Sequence, residues 1–164
     1  MRVAILLSIF LFTGGLLSPV FAADPASPQR EVMTPMRMVE ILRAAADESK
    51  ALPHMVMLKY KGIELRCIYD ERHDRMRIIA PVAARADISD EQFEKAMEAN
   101  FHTSLDARYA LNKGILFAAF IHPLSPLTPA QIESALVQTA TLTATFGKQY
   151  SSGSLTFQGG GKPL

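Results

Sequence analysis

The stretch Ile63-Glu64-Leu65-Arg66-Cys67-Ile68-Tyr69-Asp70, followed by Glu71-Arg72-His73-Asp74 and then Arg75-Met76-Arg77-Ile78, alternates with a period of two on both sides of a polar centre. Successive side chains of a strand point to opposite faces. Ile63, Leu65, Cys67 and Tyr69 therefore share one face, and Glu64, Arg66 and Asp70 the other. Beyond the polar turn, Met76 and Ile78 continue the apolar face and Arg75 and Arg77 the polar one, with the strand ending near Pro81. A hairpin that is dry on one side and wet on the other belongs to an antiparallel sheet covered on one face.

The rest of the chain extends this sheet and supplies its cover. Before it, His54–Lys61, with Met55, Val56, Met57, Leu58 and Tyr60, reads as a strand stopped by Gly62. Earlier still, Thr34 caps a helix whose first turn accommodates Pro35. Met38, Val39, Leu42 and Ala46 recur at helical spacing, so the helix is expected to run to about Ser49 and to close at Pro53. After the hairpin, Ser89 and Gln92 form a capping box, and Phe93, Ala96, Met97, Asn100 and Phe101 make one stripe. Leu105–Leu111 and Ile115–Ile121 read as two more strands around the turn Asn112-Lys113-Gly114. Thr128 and Gln131 box the start of a last helix, with Ala135, Leu136, Thr139, Thr143 and Phe146 on its face and Gly147 as its cap. The expected order is α-βββ-α-ββ-α, an α+β domain with helices on one face of a five-stranded antiparallel sheet.

The two ends read differently. Arg2, the apolar run Val3–Phe12 and the small-residue site Val20-Phe21-Ala22 make residues 1–22 a cleavable Sec-type signal peptide. Residues 23–33 form a polar leader with two prolines, residues 34–150 the single domain, and residues 151–164 a Ser- and Gly-rich flexible tail. The expected location is periplasmic or secreted, with no stable membrane insertion once the signal is cleaved.

Composition excludes several functions. The 164 residues hold 17 Lys+Arg, 16 Asp+Glu and one Cys. Removing Arg2 with the signal leaves the two signs equal, and no basic stripe exists for nucleic acid. One Cys makes no internal disulfide and no thiolate zinc site. His54, His73, His102 and His122 stand at no metal-ligand spacing, and the acidic residues around His73 read as a solvated turn. Gly159-Gly160-Gly161-Lys162 lacks the Ser/Thr and the strand-to-helix setting of a phosphate loop, so neither metal nor cofactor is expected. Cys67, on the apolar face of its strand, is expected to be buried and chemically quiet.

The order of elements, with Ala99-Asn100-Phe101, Leu105–Leu111, Gly114-Ile115-Leu116 and the turn His122-Pro123-Leu124 into Leu127-Thr128, resembles the type III secretion chaperone-like fold, including the YbjN-type family of regulators. The resemblance spans roughly residues 34–150. It implies a dimer that holds a partner chain along apolar patches. The chain is accordingly expected to be a non-enzymatic module binding a peptide or protein, as a homodimer. Met36, Met38 and Ile41 of the first helix and Leu116 and Phe120 of the last strand are its candidate partner-binding residues. Arg66, Arg75, Arg77 and Arg108 form a candidate face for an anionic partner, interleaved with Glu64, Asp70, Asp74 and Asp106. The alternative is a small hydrolase assembled from scattered Ser, His and Asp, for which the sequence offers no nucleophile elbow.

Overall fold

The computed structural model describes residues 31–154. The expected signal peptide, most of the expected leader and the end of the expected tail lie outside the described residues. Helix α1 (Pro35–Ala45) is followed by strands β1 (Glu48–Leu52), β2 (Met55–Tyr60), β3 (Ile63–Asp70) and β4 (Arg75–Ala84). A short 3₁₀ turn (Arg85–Asp87) leads into α2 (Asp90–His102), then β5 (Arg108–Asn112), β6 (Ile115–Pro123) and α3 (Pro129–Ala144). The strands make one antiparallel sheet in the order β1-β2-β3-β4-β6-β5. The α+β class and the one-sided helical cover hold, but the sheet has six strands rather than five.

The additional strand is β1. The sequence reading carries α1 to about Ser49, whereas the helix ends at Ala45 and the next residues turn into a strand. Glu48-Ser49-Lys50-Ala51 is exposed throughout, so no alternation marks it. What forms this strand is its partner: β1 lies in register with β2, and Lys59 Nζ reaches Glu48 Oε1 at 3.1 Å. An exposed, charged edge strand of this kind also discourages sheets from joining edge to edge.

Two further boundaries move for local reasons. β4 continues past Pro81 to Ala84, because the ladder to β6 shifts register between Pro81 and Ala83; a bulge tolerates the missing proline N–H. β5 starts at Arg108 rather than Leu105. The N–H groups of Asp106 and Ala107 donate instead to Gln138 Oε1 of α3, at 2.8 and 3.1 Å.

Both expected capping boxes are present, and Thr34 Oγ1 accepts from Arg37 N at 3.3 Å. The core lies between the sheet and the helices. Val56, Leu65, Cys67, Met76, Ile78, Leu116 and Phe120 of the strands meet Met38 and Leu42 of α1 and Ile132, Leu136 and Leu142 of α3. Among the described residues packing begins at Met33, which is buried and whose N–H donates to Ser125 O at 3.0 Å. It continues past Tyr150, because Ser152 is buried and its Oγ accepts from Leu105 N. Thr103 Oγ1 adds a bond to Tyr150 O. The first residues of the expected loose tail are therefore stitched to the α2–β5 loop.

Candidate functional site

Helix α1 decides which of the expected partner-binding residues are accessible. At 100° per residue, Met38 and Leu42 fall on one line, and both are 0% exposed, packed into the core. Met36, Val39 and Arg43 fall on the flank that looks along the sheet end. Met36 is 73% exposed. Together with Ala51, Tyr69 and Glu71, these residues line a groove of about 640 Å³. Ile41 stands five positions beyond Met36, about 140° round the helix. It packs half-buried against the core and does not line the groove.

The strand candidates fail for a related reason. β6 is apolar on both sides, and its Leu116, Ala118 and Phe120 point to the helices, where they are 0%, 0% and 3% exposed. The side that looks outward carries Phe117 and Ile121, and Ile121 is 58% exposed. Met38, Leu116 and Phe120 are therefore core residues, and a partner could reach them only by opening the domain. The sequence reading did not select Val39 and Tyr69, although the helical spacing of Val39 from Met36 was the available signal.

The four arginines do share one face. Register places Arg66 opposite Ile79, Ile79 opposite Ala119, and Ala119 opposite Arg108. One row further along, Ile68 stands opposite Arg77 and Arg77 opposite Ile121. Arg75 follows two residues from Arg77, on the side of the sheet away from the helices.

Of the acidic residues expected to neutralise this face, Asp74 and Asp106 are engaged elsewhere, whereas Asp70 stands opposite Arg75 and Glu64 lies two residues from Arg66 on the same side. Asp70 holds His73 Nδ1 at 2.7 Å, and that hydrogen bond keeps its carboxyl below the usual carboxylate range. Asp74 accepts from Ser125 Oγ and Ser125 N, both at 2.7 Å, and these bonds lower its pKa. Asp106 accepts from Gln138 Nε2 at 3.3 Å, and Glu64 stands opposite Lys59.

Asp106, His122 and Ser134 line one cavity of about 320 Å³ between β6 and α3. They are not joined as a hydrolase would need. His122 Nδ1 donates to Pro123 O at 2.8 Å. Gln138 Nε2 bridges Ser134 Oγ, at 3.0 Å, and Asp106. Gln138 thus occupies the position between acid and hydroxyl that a general base would require. Among the described residues no three His, Cys, Asp or Glu side chains are placed to hold a metal, and no helix is long and apolar enough to cross a membrane. Cys67 is fully buried, with Sγ 3.9 Å from Met38 Sδ, and burial pushes its thiol up to about 12.

A solved structure of the ExsC-ExsE complex contains a chain that superposes with a TM-score of 0.53 and 13% identity, covering 73% of this chain and 97% of that one. The fold is that of the type III secretion chaperones. A chain of the HopA1-SchA chaperone-effector complex agrees, with a TM-score of 0.51 and 12% identity over 65% of this chain and 87% of that one. No protein-family model and no curated protein sequence matches the chain. Among the described residues, the α1 groove and the arginine-bearing sheet face are accessible surfaces with distinctive chemistry.

Proposed function

We propose that the chain is a protein-binding module that seats a segment of a partner protein in the groove beside α1. The observation that carries this reading is Met36, exposed on a helix flank with Val39 and Tyr69 beside it. Such a surface is stabilised by being covered, and an unbranched methionine adapts to different partner side chains. The chaperone fold supports the same reading, since one of the similar structures is a chaperone-effector complex.

The module acts after export. The order of charge, apolar run and small residues in Arg2–Ala22 supports this, and N-terminal sequencing of the native protein is expected to begin at or near Ala23. It works as a homodimer, an assignment supported by Phe101, 79% exposed at the end of α2. Sedimentation of the wild type against Phe101→Asp tests that assignment.

The groove is tested with the wild type and Met36→Asp, both immobilised and exposed to envelope extract. A partner retained by the wild type should lose more than about tenfold in affinity for the variant. The contact should also survive raised salt, since apolar burial drives it. Equal retention by a folded Met36→Asp variant overturns the reading.

A further inference from the structure

The open face of the sheet has a chemistry that the groove does not share. Arg66, Arg75, Arg77 and Arg108 lie on it, and among the described residues none has a carboxylate within 4.0 Å. Arg75 and Arg108 spend one N–H each on a backbone carbonyl, at 3.2 and 3.1 Å. Arg66, Arg75 and Arg77 are exposed, and Arg108 is half-buried. Ile79 and Ile68 lie between them half-buried and Ile121 exposed, while the acids on this face, Asp70 opposite Arg75 and Glu64 two residues from Arg66, are fewer than the arginines.

We propose that this face binds an acidic, amphipathic polypeptide segment, with carboxylates on the four arginines and apolar side chains against Ile121 and Met57. Spacing supports a polypeptide. With about 3.4 Å per residue along a strand and about 4.8 Å between strands, Arg77 stands about 7–8 Å from both Arg75 and Arg66. That matches acidic side chains at i, i+2 of a strand or i, i+4 of a helix. A planar guanidinium takes a carboxylate through two parallel hydrogen bonds, so each contact is directional as well as charged.

Shape favours a peptide over a bilayer. Only Ile121 and Met57 stand out among the apolar residues of this face, at 58% and 38% exposure, and Ala119 between the arginines is covered. A hollow of about 260 Å³ beside Arg66, lined by Lys50, Met57, Lys59 and Pro81 and also by Glu48 and Glu64, accepts a side chain rather than entering a membrane. The proposal does not depend on the groove, which lies on the helix side of the sheet.

The test is fluorescence anisotropy of the purified domain with a short labelled peptide in which Glu alternates with Leu. Comparisons are the same peptide with Lys for Glu, polyglutamate, and phosphatidylglycerol vesicles. Arg66→Glu/Arg77→Glu, confirmed folded by its thermal melt, is expected to lower affinity for the Glu/Leu peptide more than about tenfold. Added NaCl should weaken wild-type binding, and Met36→Asp should leave it unchanged. The proposal is overturned if the wild type does not bind this peptide or the double arginine variant binds as well as the wild type. Equal binding of polyglutamate, or tighter binding to vesicles, also overturns it.

Discussion

The two faces of the sheet are built from alternate residues of the same strands, yet they obey different rules. On β4, Met76, Ile78 and Ala80 are sealed beneath the helices, while Arg75 and Arg77 stand between them in the open. β6 makes the contrast sharper because it is apolar on both sides: Leu116 and Phe120 vanish into the core, whereas Ile121 stays exposed. Hydrophobicity alone therefore does not define a binding surface. The helical cover decides which apolar residues become core and which remain available.

Substitutions can break this comparison, and the largest effect is expected at Leu116. Leu116→Asp would place an unpaired carboxylate among α3 and β4 side chains, at a cost above about 4 kcal/mol. Circular dichroism should show no cooperative thermal transition. Met38→Asp should behave alike, so neither substitution can serve as a probe of partner binding.

Gln138→Ala follows. It removes the acceptor shared by the N–H groups of Asp106 and Ala107, and leaving those groups unpaired costs about 2 kcal/mol. Urea denaturation should show the loss as a lower midpoint. Cys67→Ala is expected to cost about 1–2 kcal/mol through the small cavity it leaves. In the wild type the thiol, held neutral by burial, should react with Ellman's reagent only after denaturant is added.

Asp74 sharpens the comparison through pH. Its folded pKa lies below the ordinary 3.8, so the stability it contributes is present above that value and is lost as pH falls through the folded one. Asp74→Asn should melt below the wild type at neutral pH, and the gap should close as pH falls below the ordinary carboxylate range. Ile121→Asp is the mildest case. On the open face it should change stability by no more than about 0.5 kcal/mol, in contrast to Leu116→Asp five positions earlier on the same strand.

Much of this architecture was legible in the chain. The period-two pattern of Ile63–Ile78 marked the covered face, and Ser89/Gln92 and Thr128/Gln131 marked both later helix starts. β1 was not legible, because Glu48-Ser49-Lys50 has no apolar alternation and takes its conformation from pairing with β2. The arginine face could be read from alternation, but which of the acids near it are drawn away could not. Asp74 and Asp106 look available in sequence, and only the fold shows them turned to Ser125 and Gln138, 51 and 32 residues away. The groove was half legible: Met36 was visible, but Met38 and Ile41 were grouped with it although the helix turns them to other sides.

The stitching of Ser151 and Ser152 to the α2–β5 loop bears on when the domain can be completed during synthesis. The meander β2-β3-β4 pairs through short turns and can form early, but α1 is covered by α3, and Thr103 waits for Tyr150, 47 residues later. A chain emerging from its N-terminal end therefore keeps Met38, Leu42 and the inner face of β4 unsealed until residues 129–152 have followed. The closing segment acts as a late clasp, and a nascent chain arrested before it would remain open to proteases and to holding factors.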